Sequence, residues 1–363
     1  MAYAFNSDLL LGEADQKHAN KVFPSIFFAL DNPALRDVFK PYDSRANLAK
    51  TRSRRWGMIA VGLATFALLL AAGEMLYHDL PKTTVRIVAA IGGVAGIASV
   101  LIGVFGIMFR TRKMRWLADR LATERTRQFH FQSYVAGAAD ILAGAKNPDA
   151  RERFLEQREE RLSNFQADFL AHIDKTLHEL VHAEDVGHGL LWNETPADID
   201  PNDPHVEEYF EAYVAFRFQR QIDYCNLILS DKTGFWRYAP VNQARILGAI
   251  ALMCVFGILA LHGLVFLGAV ANIAWMKGEM VHVFAIWAAI IALTARTLEE
   301  GFQPEREIER VRQYRLSLVR IYDRFKSSPT PKGKLAAMID LEKLSYEEMS
   351  LFLKSNYEAN FVM

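Results

Sequence analysis

The chain has 363 residues, of which 42 are Lys or Arg and 42 are Asp or Glu, so its formal net charge at pH 7 is zero. This balance excludes the global positive charge that is typical of proteins binding nucleic acid non-specifically. Two cysteines are too few for a disulfide framework, which predicts a reducing compartment for the soluble part. Residues 1–20 are polar and mixed in charge, so no signal peptide is expected.

The first apolar part of the chain follows a polar N-terminal segment, residues 1–55, which is predicted to be cytoplasmic. Residues 56–77 and 87–109 can each cross a bilayer, because a spanning helix needs roughly 20 apolar residues. The turn between them, residues 78–86, is short, and unpaired backbone is not tolerated in lipid. The sequence therefore predicts a transmembrane helical hairpin over residues 56–109.

Small residues recur in these two spans every three or four positions, a period that keeps one helix face against a neighbour. Glu74 continues this face in the first span, which indicates contact with an aqueous path; alternatively, Glu74 lies among the lipid headgroups and is solvated there. The candidates for pore lining or helix packing are Ala64, Ala67, Ala71, Glu74, Gly92, Gly96, Ser99 and Gly103.

Residues 110–245 are predicted to form a cytoplasmic helical domain. The tripeptide at 146–148 (Lys-Asn-Pro) marks a turn between two helices, and an apolar stripe at helical spacing runs from Phe154 to Leu180. Residues 193–205 are rich in proline and acids and are predicted to be a loop, after which residues 206–230 return to helix. No segment alternates as a strand does, so the predicted fold class is all-α.

A second pair of apolar stretches, 246–273 and 279–295, predicts a second hairpin over 246–295 and so a four-span membrane protein. The third span carries large side chains such as Phe256 and Leu259 and is expected to face lipid. His262 is more simply explained as a neutral imidazole bonded to a neighbouring helix than as a functional group. Residues 296–363 are predicted to be cytoplasmic, with a stalk over 297–326, a linker over 327–334 and one or two short helices.

A hexad of the form ERxRQ plus an aromatic follows each hairpin, at 124–129 and at 309–314. This repeat predicts a tandem duplication of one unit, a hairpin followed by an amphipathic stalk. The four arginines of the hexads are candidates for binding an anionic ligand. Alternatively, the two hexad glutamates pair with arginines between the stalks and set their register. These arginines are Arg125, Arg127, Arg310 and Arg312.

The segment His178–His182 (HELVH) matches the HExxH pattern, which places two zinc-binding imidazoles and a general base on one helix face. His188 stands at the spacing of a third ligand in the metzincin pattern. That pattern also expects a glycine seven residues after the first histidine, where this chain has Asp185. The competing interpretation is a solvated polar face opposite the stripe that ends at Leu180, with no metal bound.

Basic residues flank the spans unevenly. Arg52, Arg54 and Arg55 precede the first span and Arg110 and Arg112 follow the second, whereas few basic residues lie in the hairpin turns. The positive-inside rule then predicts that both termini and residues 110–245 are cytoplasmic.

These residues resemble the SLATT group of bacterial membrane proteins, in which a basic amphipathic lead-in, two spans and a cytoplasmic helix form the unit. The corresponding parts here are Arg45–Arg55, residues 56–109, and Arg115–Arg120 continuing to Glu124 and Phe129. The resemblance, like that to Hailong-type channel effectors, implies a pore-forming killer in nucleotide-signalled antiphage defence. It also implies a nucleotide or oligonucleotide ligand and a nucleotidyltransferase partner.

The sequence thus leads to the hypothesis of a homo-oligomeric channel in the bacterial inner membrane, gated by its helical domain and causing depolarisation and growth arrest. No enzymatic activity and no cofactor are expected. Two alternatives remain open: a membrane-bound zinc metallopeptidase at His178, Glu179 and His182, and a scaffold that docks a soluble partner.

Overall fold

A computed structural model describes residues 13–77, 80–185, 187, 189–192, 195–230, 239–359 and 361–362. These residues are overwhelmingly helical and contain no β-strand, which confirms the predicted all-α class. The helices are α1 (Glu13–Val22), α2 (Phe27–Leu30), α3 (Pro33–Ala72), α4 (Glu74–Tyr77), α5 (Lys82–Gly106), α6 (Arg110–Ala136), α7 (Ala138–Lys146), α8 (Pro148–Asp168), α9 (Ile173–His182), α10 (Val206–Tyr213), α11 (Gln219–Leu229), α12 (Pro240–Val270), α13 (Glu279–Phe302), α14 (Pro304–Ser327) and α15 (Pro331–Glu358).

The chain divides into two units. The first, here called the helical body, comprises residues 1–48, 111–229 and 309–359. The second, the apolar unit, comprises residues 49–110, 230–308 and 360–363. The described residues of 13–48 and 309–359 therefore group with the central helices.

Helix α6 is the centre of the helical body. It is buried or partly buried at every position from 116 to 135, although it carries many polar and charged side chains, and Leu117, Leu121 and Phe129 are fully or almost fully buried. Its interior threonines satisfy their hydroxyls locally: Thr123 and Thr126 each donate to the carbonyl four residues earlier, at 2.8 and 2.7 Å.

The turn predicted at 146–148 is confirmed, with Asn147 accepting a hydrogen bond from the backbone N–H of Asp149 at 2.8 Å and Pro148 opening α8. The apolar stripe predicted from Phe154 to Leu180 is buried at most positions. It is divided between α8 and α9 by a short 3₁₀ turn, Leu170–His172.

Two predictions for the C-terminal part are wrong. The stalk does not begin at 297, because α13 continues to Phe302 and Gln303 takes a left-handed conformation (φ 50°) before α14. Pro304 explains the break, since proline disfavours helical geometry in the residue before it. The predicted linker also ends early, because Thr330 caps α15 and Pro331 opens it as one continuous helix instead of one or two short ones.

The apolar unit contains four helical segments, in α3, α5, α12 and α13, that are long and apolar enough to cross a membrane among the described residues. At most 11% of the residues in the most apolar stretch of each are buried. Large side chains such as Val94, Ile97, Phe256 and Leu259 are instead exposed. This surface needs an apolar surrounding, which agrees with the predicted four-span membrane protein.

Candidate functional site

Helices α3 and α5 of the apolar unit approach closely through small residues. Ser99 donates from its hydroxyl to the carbonyl of Ala60 at 2.7 Å. A methyl group on Gly96 would lie 3.7 Å from Cβ of Ala67, and one on Gly92 would lie 3.6 Å from Cβ of Leu70. Both are ordinary van der Waals distances, so this face is a packed seam inside the hairpin.

Helix α3 also contacts α13 through polar groups. The hydroxyl oxygens of Thr65 and Thr294 lie 2.7 Å apart, and the indole N–H of Trp287 donates to the carbonyl of Leu69 at 2.9 Å. In a membrane, such hydrogen bonds fix which helices associate. Helix α13 packs in turn on α12 through Ala295, Leu247 and Ala251.

The pore-lining or packing candidates therefore divide into two sets. Ala67, Gly92, Gly96 and Ser99 are used within the first hairpin. Ala71 and Glu74 are exposed, Ala64 is half-buried, and a methyl group on Gly103 would meet no atom within 4 Å. The second set is the part of the predicted face left open to lipid, water or another subunit.

His262 was predicted to form a hydrogen bond with a neighbouring helix, and the structure shows a different partner. Its Nδ1 lies 2.9 Å from the carbonyl of Ile258, four residues earlier on the same helix, and the residue is exposed. The imidazole is therefore satisfied within α12 and forms no hydrogen bond to a neighbouring helix among the described residues.

The two ERxRQ hexads lie in the helical body and have the same local geometry. Glu124 pairs with Arg127 and Glu309 with Arg312, each at 2.8 Å and three residues apart. Each pair lies within a single helix, Glu124–Arg127 in α6 and Glu309–Arg312 in α14. The interpretation that these pairs join the two stalks is therefore wrong. Burial alone would raise the pKa of Glu124, but Arg120 and Arg127 hold it below its ordinary value.

The first arginine of each hexad, Arg125 or Arg310, contacts α15. The Arg125 guanidinium lies 4.9 Å from the ring of Tyr346, and that of Arg310 lies 5.0 Å from the ring of Phe352 and pairs with Glu348. Arg127 lies instead against Phe39, and Arg312 is exposed beside Glu309. The four arginines therefore do not converge on one site, but Arg125 and Arg310 both contact the C-terminal helix α15.

A buried ionic network connects α15 to the middle of the body. Arg217 donates from Nε and Nη2 to the two carboxylate oxygens of Glu342, both at 2.8 Å, and the hydroxyl of Tyr213 donates to the same carboxylate at 2.7 Å. Burial alone would lower the pKa of Arg217, but the charge of Glu342 raises it above its ordinary value. Desolvation, aided by Glu342, raises the pKa of Tyr213 well above its usual range.

No spacing in the sequence predicts this network, because its partners are 125 residues apart in the chain. Arg217 lies in a short π-helix, Val214–Phe218, between α10 and α11. Insertions of this kind often occur at functional positions. The one local signal was an arginine between two phenylalanines, Phe216 and Phe218, in an otherwise apolar run.

A small cavity of about 20 Å³ lies beside this network, large enough for about one water molecule. Its polar lining includes Gln132 of α6, Glu342 of α15 and Thr195. Leu190 and Trp192, from the segment after α9, lie on another side. The cavity is therefore bounded by α6, which carries Arg125, by α15, which contacts Arg125 through Tyr346, and by a non-helical segment.

The HExxH segment lies on α9 of the body. The imidazole centroids of His178 and His182 are 4.5 Å apart, and Nε2 of His182 lies 3.2 Å from the hydroxyl oxygen of Tyr357. Both histidines are exposed, opposite buried Leu177 and Leu180. The residues that the structure describes contain no group of three His, Cys, Asp or Glu able to hold a metal; His188 lies outside them.

Comparisons with protein-family models, with characterised proteins and with solved structures found no match for this chain. Its function is therefore argued from the arrangement of its own residues.

Proposed function

We propose that this protein is a homo-oligomeric membrane channel whose helical body controls opening of the pore. The proposal places the four apolar helices in a bacterial inner membrane, with both termini in the cytoplasm. The flanking basic residues support this orientation. No metal or catalytic group takes part, since opening requires only two arrangements of the helices.

The single observation that carries the proposal is the continuity of α3. Its 40 residues include Pro33–Leu48 of the body and Ala49–Ala72 of the apolar unit. In the body, Arg45 donates to Asp119 of α6 at 2.7 Å. In the apolar unit, the same helix supplies Ala60 to Ser99 and Thr65 to Thr294. A displacement of α6 would therefore act on the helix that forms both intramembrane seams.

A second copy of the chain is the proposed partner within the membrane. Most of the apolar surface is unburied. The open candidates Ala71, Glu74 and Gly103 lie on α3, on the short helix α4 and on α5, respectively. In the proposed oligomer, small residues allow close approach between subunits, and Glu74 supplies charge near the outer end of the first span.

The resemblance to SLATT proteins adds the biological part of the proposal. On that basis the channel depolarises the cell and arrests growth during antiphage defence. Its ligand is a nucleotide or oligonucleotide made by a partner nucleotidyltransferase. A ligand shifts the pore only by its differential affinity for the closed and open arrangements.

The test is potassium efflux from liposomes that contain the purified chain, with and without added nucleotides. Leu48→Pro interrupts α3 at an exposed residue, so it removes no buried side chain. Its matched control is Leu48→Ala. We expect efflux from the wild type and the control, and an altered nucleotide response or none in the proline variant. Inserted oligomers that pass no ion under any of these conditions would refute the proposal.

A further inference from the structure

Arg125 is a buried cation whose charge no carboxylate balances among the described residues. It is 6% exposed, and Nη1 donates to two neutral oxygens of the described residues, Oε1 of Gln128 at 2.7 Å and the carbonyl of Gly189 at 2.8 Å. Arg217, which is also buried, pairs with Glu342, and Arg127 pairs with Glu124. A buried charge without a counter-charge is costly, so this environment requires an explanation.

The guanidinium of Arg125 is held in a fixed direction. The rings of Tyr346 and Phe169 lie 4.9 and 5.4 Å from its central carbon, and Gln128 anchors Nη1 from the next turn of α6. Burial lowers the pKa of Arg125 to about 10, so the group still carries its charge at pH 7. A preorganised, charged donor of this kind is suited to bind an oxyanion.

Two donors of α6 converge on one neutral oxygen. The carbonyl of Gly189 accepts from Arg125 and also from Nε2 of Gln132 at 3.4 Å. Gly189 has φ +61°, and a Cβ at this position would lie 2.0 Å from the ring of Tyr346. The carbonyl can therefore reach this position only because residue 189 is glycine.

A cavity the size of about one water molecule lies along the segment that follows this carbonyl. The cavity of about 20 Å³ is lined by Gln132, Leu190 and Trp192 among others, so it extends from the same donor along the same segment. Glu342 also lines it, but its carboxylate is already committed to Arg217 and Tyr213. Displacement of residues 189–192 would enlarge the cavity and open it toward Arg125.

We propose that the Gly189 carbonyl occupies the place of an oxygen of a small oxyanion, which Arg125 and Gln132 bind when residues 189–192 move aside. A phosphate group and a carboxylate group share this chemistry. As the trigger of the pore, the site rests on the proposed function. As a binding site, it can be measured without any ion flux.

The experiment titrates the full-length protein in detergent with inorganic phosphate in one arm and acetate in the other. Affinity is measured by calorimetry, and hydrogen exchange of residues 189–192 is followed at constant ionic strength. We expect saturable binding of at least one anion, with faster exchange in this segment. Arg125→Gln should weaken binding by about tenfold or more, the effect of losing one charge-assisted hydrogen bond. The exposed Arg312→Gln should change it less than about twofold.

Gly189→Ala provides a second variant that leaves Arg125 intact. Alanine at this position clashes with Tyr346 and disfavours the backbone conformation, so the segment should be displaced and the anion should bind more tightly. If neither the wild type nor this variant binds either anion, or if Arg125→Gln binds as the wild type does, the inference is wrong. Anion binding without ion flux would refute the channel and leave the site standing.

Discussion

Two glycines of α5, three residues apart, have different surroundings in the apolar unit. A Cβ on Gly106 would lie 2.5 Å from Cβ of Trp56 on α3, whereas one on Gly103 would have nothing within 4 Å. The spacing of small residues in the sequence predicted that this helix has a close-packed face. It could not predict which glycine of the face meets α3, because that depends on the register of the hairpin.

Gly106→Ala is expected to destabilise the protein by about 1–3 kcal/mol, because the methyl group must displace Trp56 or the α3 backbone. The matched control, Gly103→Ala, should not destabilise the protein and could stabilise it by up to about 1 kcal/mol, because alanine favours the helix more than glycine does. Thermal unfolding of the purified protein in detergent measures both. Equal losses in the two variants would contradict the packing described for α3 and α5.

His130 of α6 gives the body a pH-dependent stability. Burial lowers the pKa of His130 well below its ordinary value of 6.5, and the positive charges of Arg158, Arg217 and Arg36 lower it further. The imidazole is thus neutral when folded, while the unfolded chain binds a proton below about pH 6.5. The stability from this neutral state is complete above that pH and is lost as the pH falls toward the folded pKa.

We therefore expect the free energy of unfolding to fall by about 1.4 kcal/mol per pH unit below pH 6.5 because of this residue. His130→Gln should reduce the slope by that amount. His178→Gln, on the exposed face of α9, serves as the control. Denaturant unfolding of the full chain between pH 5 and 7.5 provides the measurement, and an unchanged slope in the His130 variant would show that another group is responsible.

At the scale of elements, α15 is held in the body by charge pairs of different burial among the described residues. Glu342 and Arg217 are 1% and 3% exposed, whereas the Arg310–Glu348 pair is partly open to solvent. Removal of one partner from a buried pair leaves a charge without water or counter-ion, which costs more than the pair itself contributes. An exposed pair is screened and contributes little.

Glu342→Gln is accordingly expected to cost about 3–5 kcal/mol, and Glu348→Gln about 1 kcal/mol or less. The double variant Arg217→Met with Glu342→Gln should recover part of the loss, because it leaves no unpaired guanidinium. Denaturant midpoints of the three variants in detergent report these differences. A double variant less stable than Glu342→Gln alone would mean that Arg217 stabilises the body by contacts other than this pair.

The elements were predictable where the cause is local. Asn147 and Pro148 determine the start of α8, and four apolar stretches define the membrane helices. Pro304 is likewise a local signal for the break between α13 and α14. The remaining features depend on partners distant in the chain: Glu342 meets Arg217 across 125 positions, and Gly189 meets Arg125 across 64. No spacing rule could have joined these residues.

At the scale of the whole molecule, the charges flanking the spans and the exposed apolar helices together predict an orientation. Unburied side chains such as Val94 and Phe256 require lipid, and the basic residues at 52–55 and 110–115 favour the cytoplasmic side. The beginning of α5 then lies outside the cell, and the body, including α8, lies inside.

Single cysteines test this orientation. Thr83 at the start of α5 and Ser163 on α8 are both exposed. Cys225→Ser and Cys254→Ser first remove the native thiols; burial raises the pKa of Cys225 to about 12, so little background is expected from it in any case. In intact cells, a membrane-impermeant maleimide should modify Thr83→Cys and spare Ser163→Cys. After lysis the maleimide should modify both cysteines, because in intact cells only the membrane, and not burial in the protein, keeps it from Ser163→Cys. Labelling of Ser163→Cys from outside would reverse the orientation, and with it the compartment in which the body could meet a ligand.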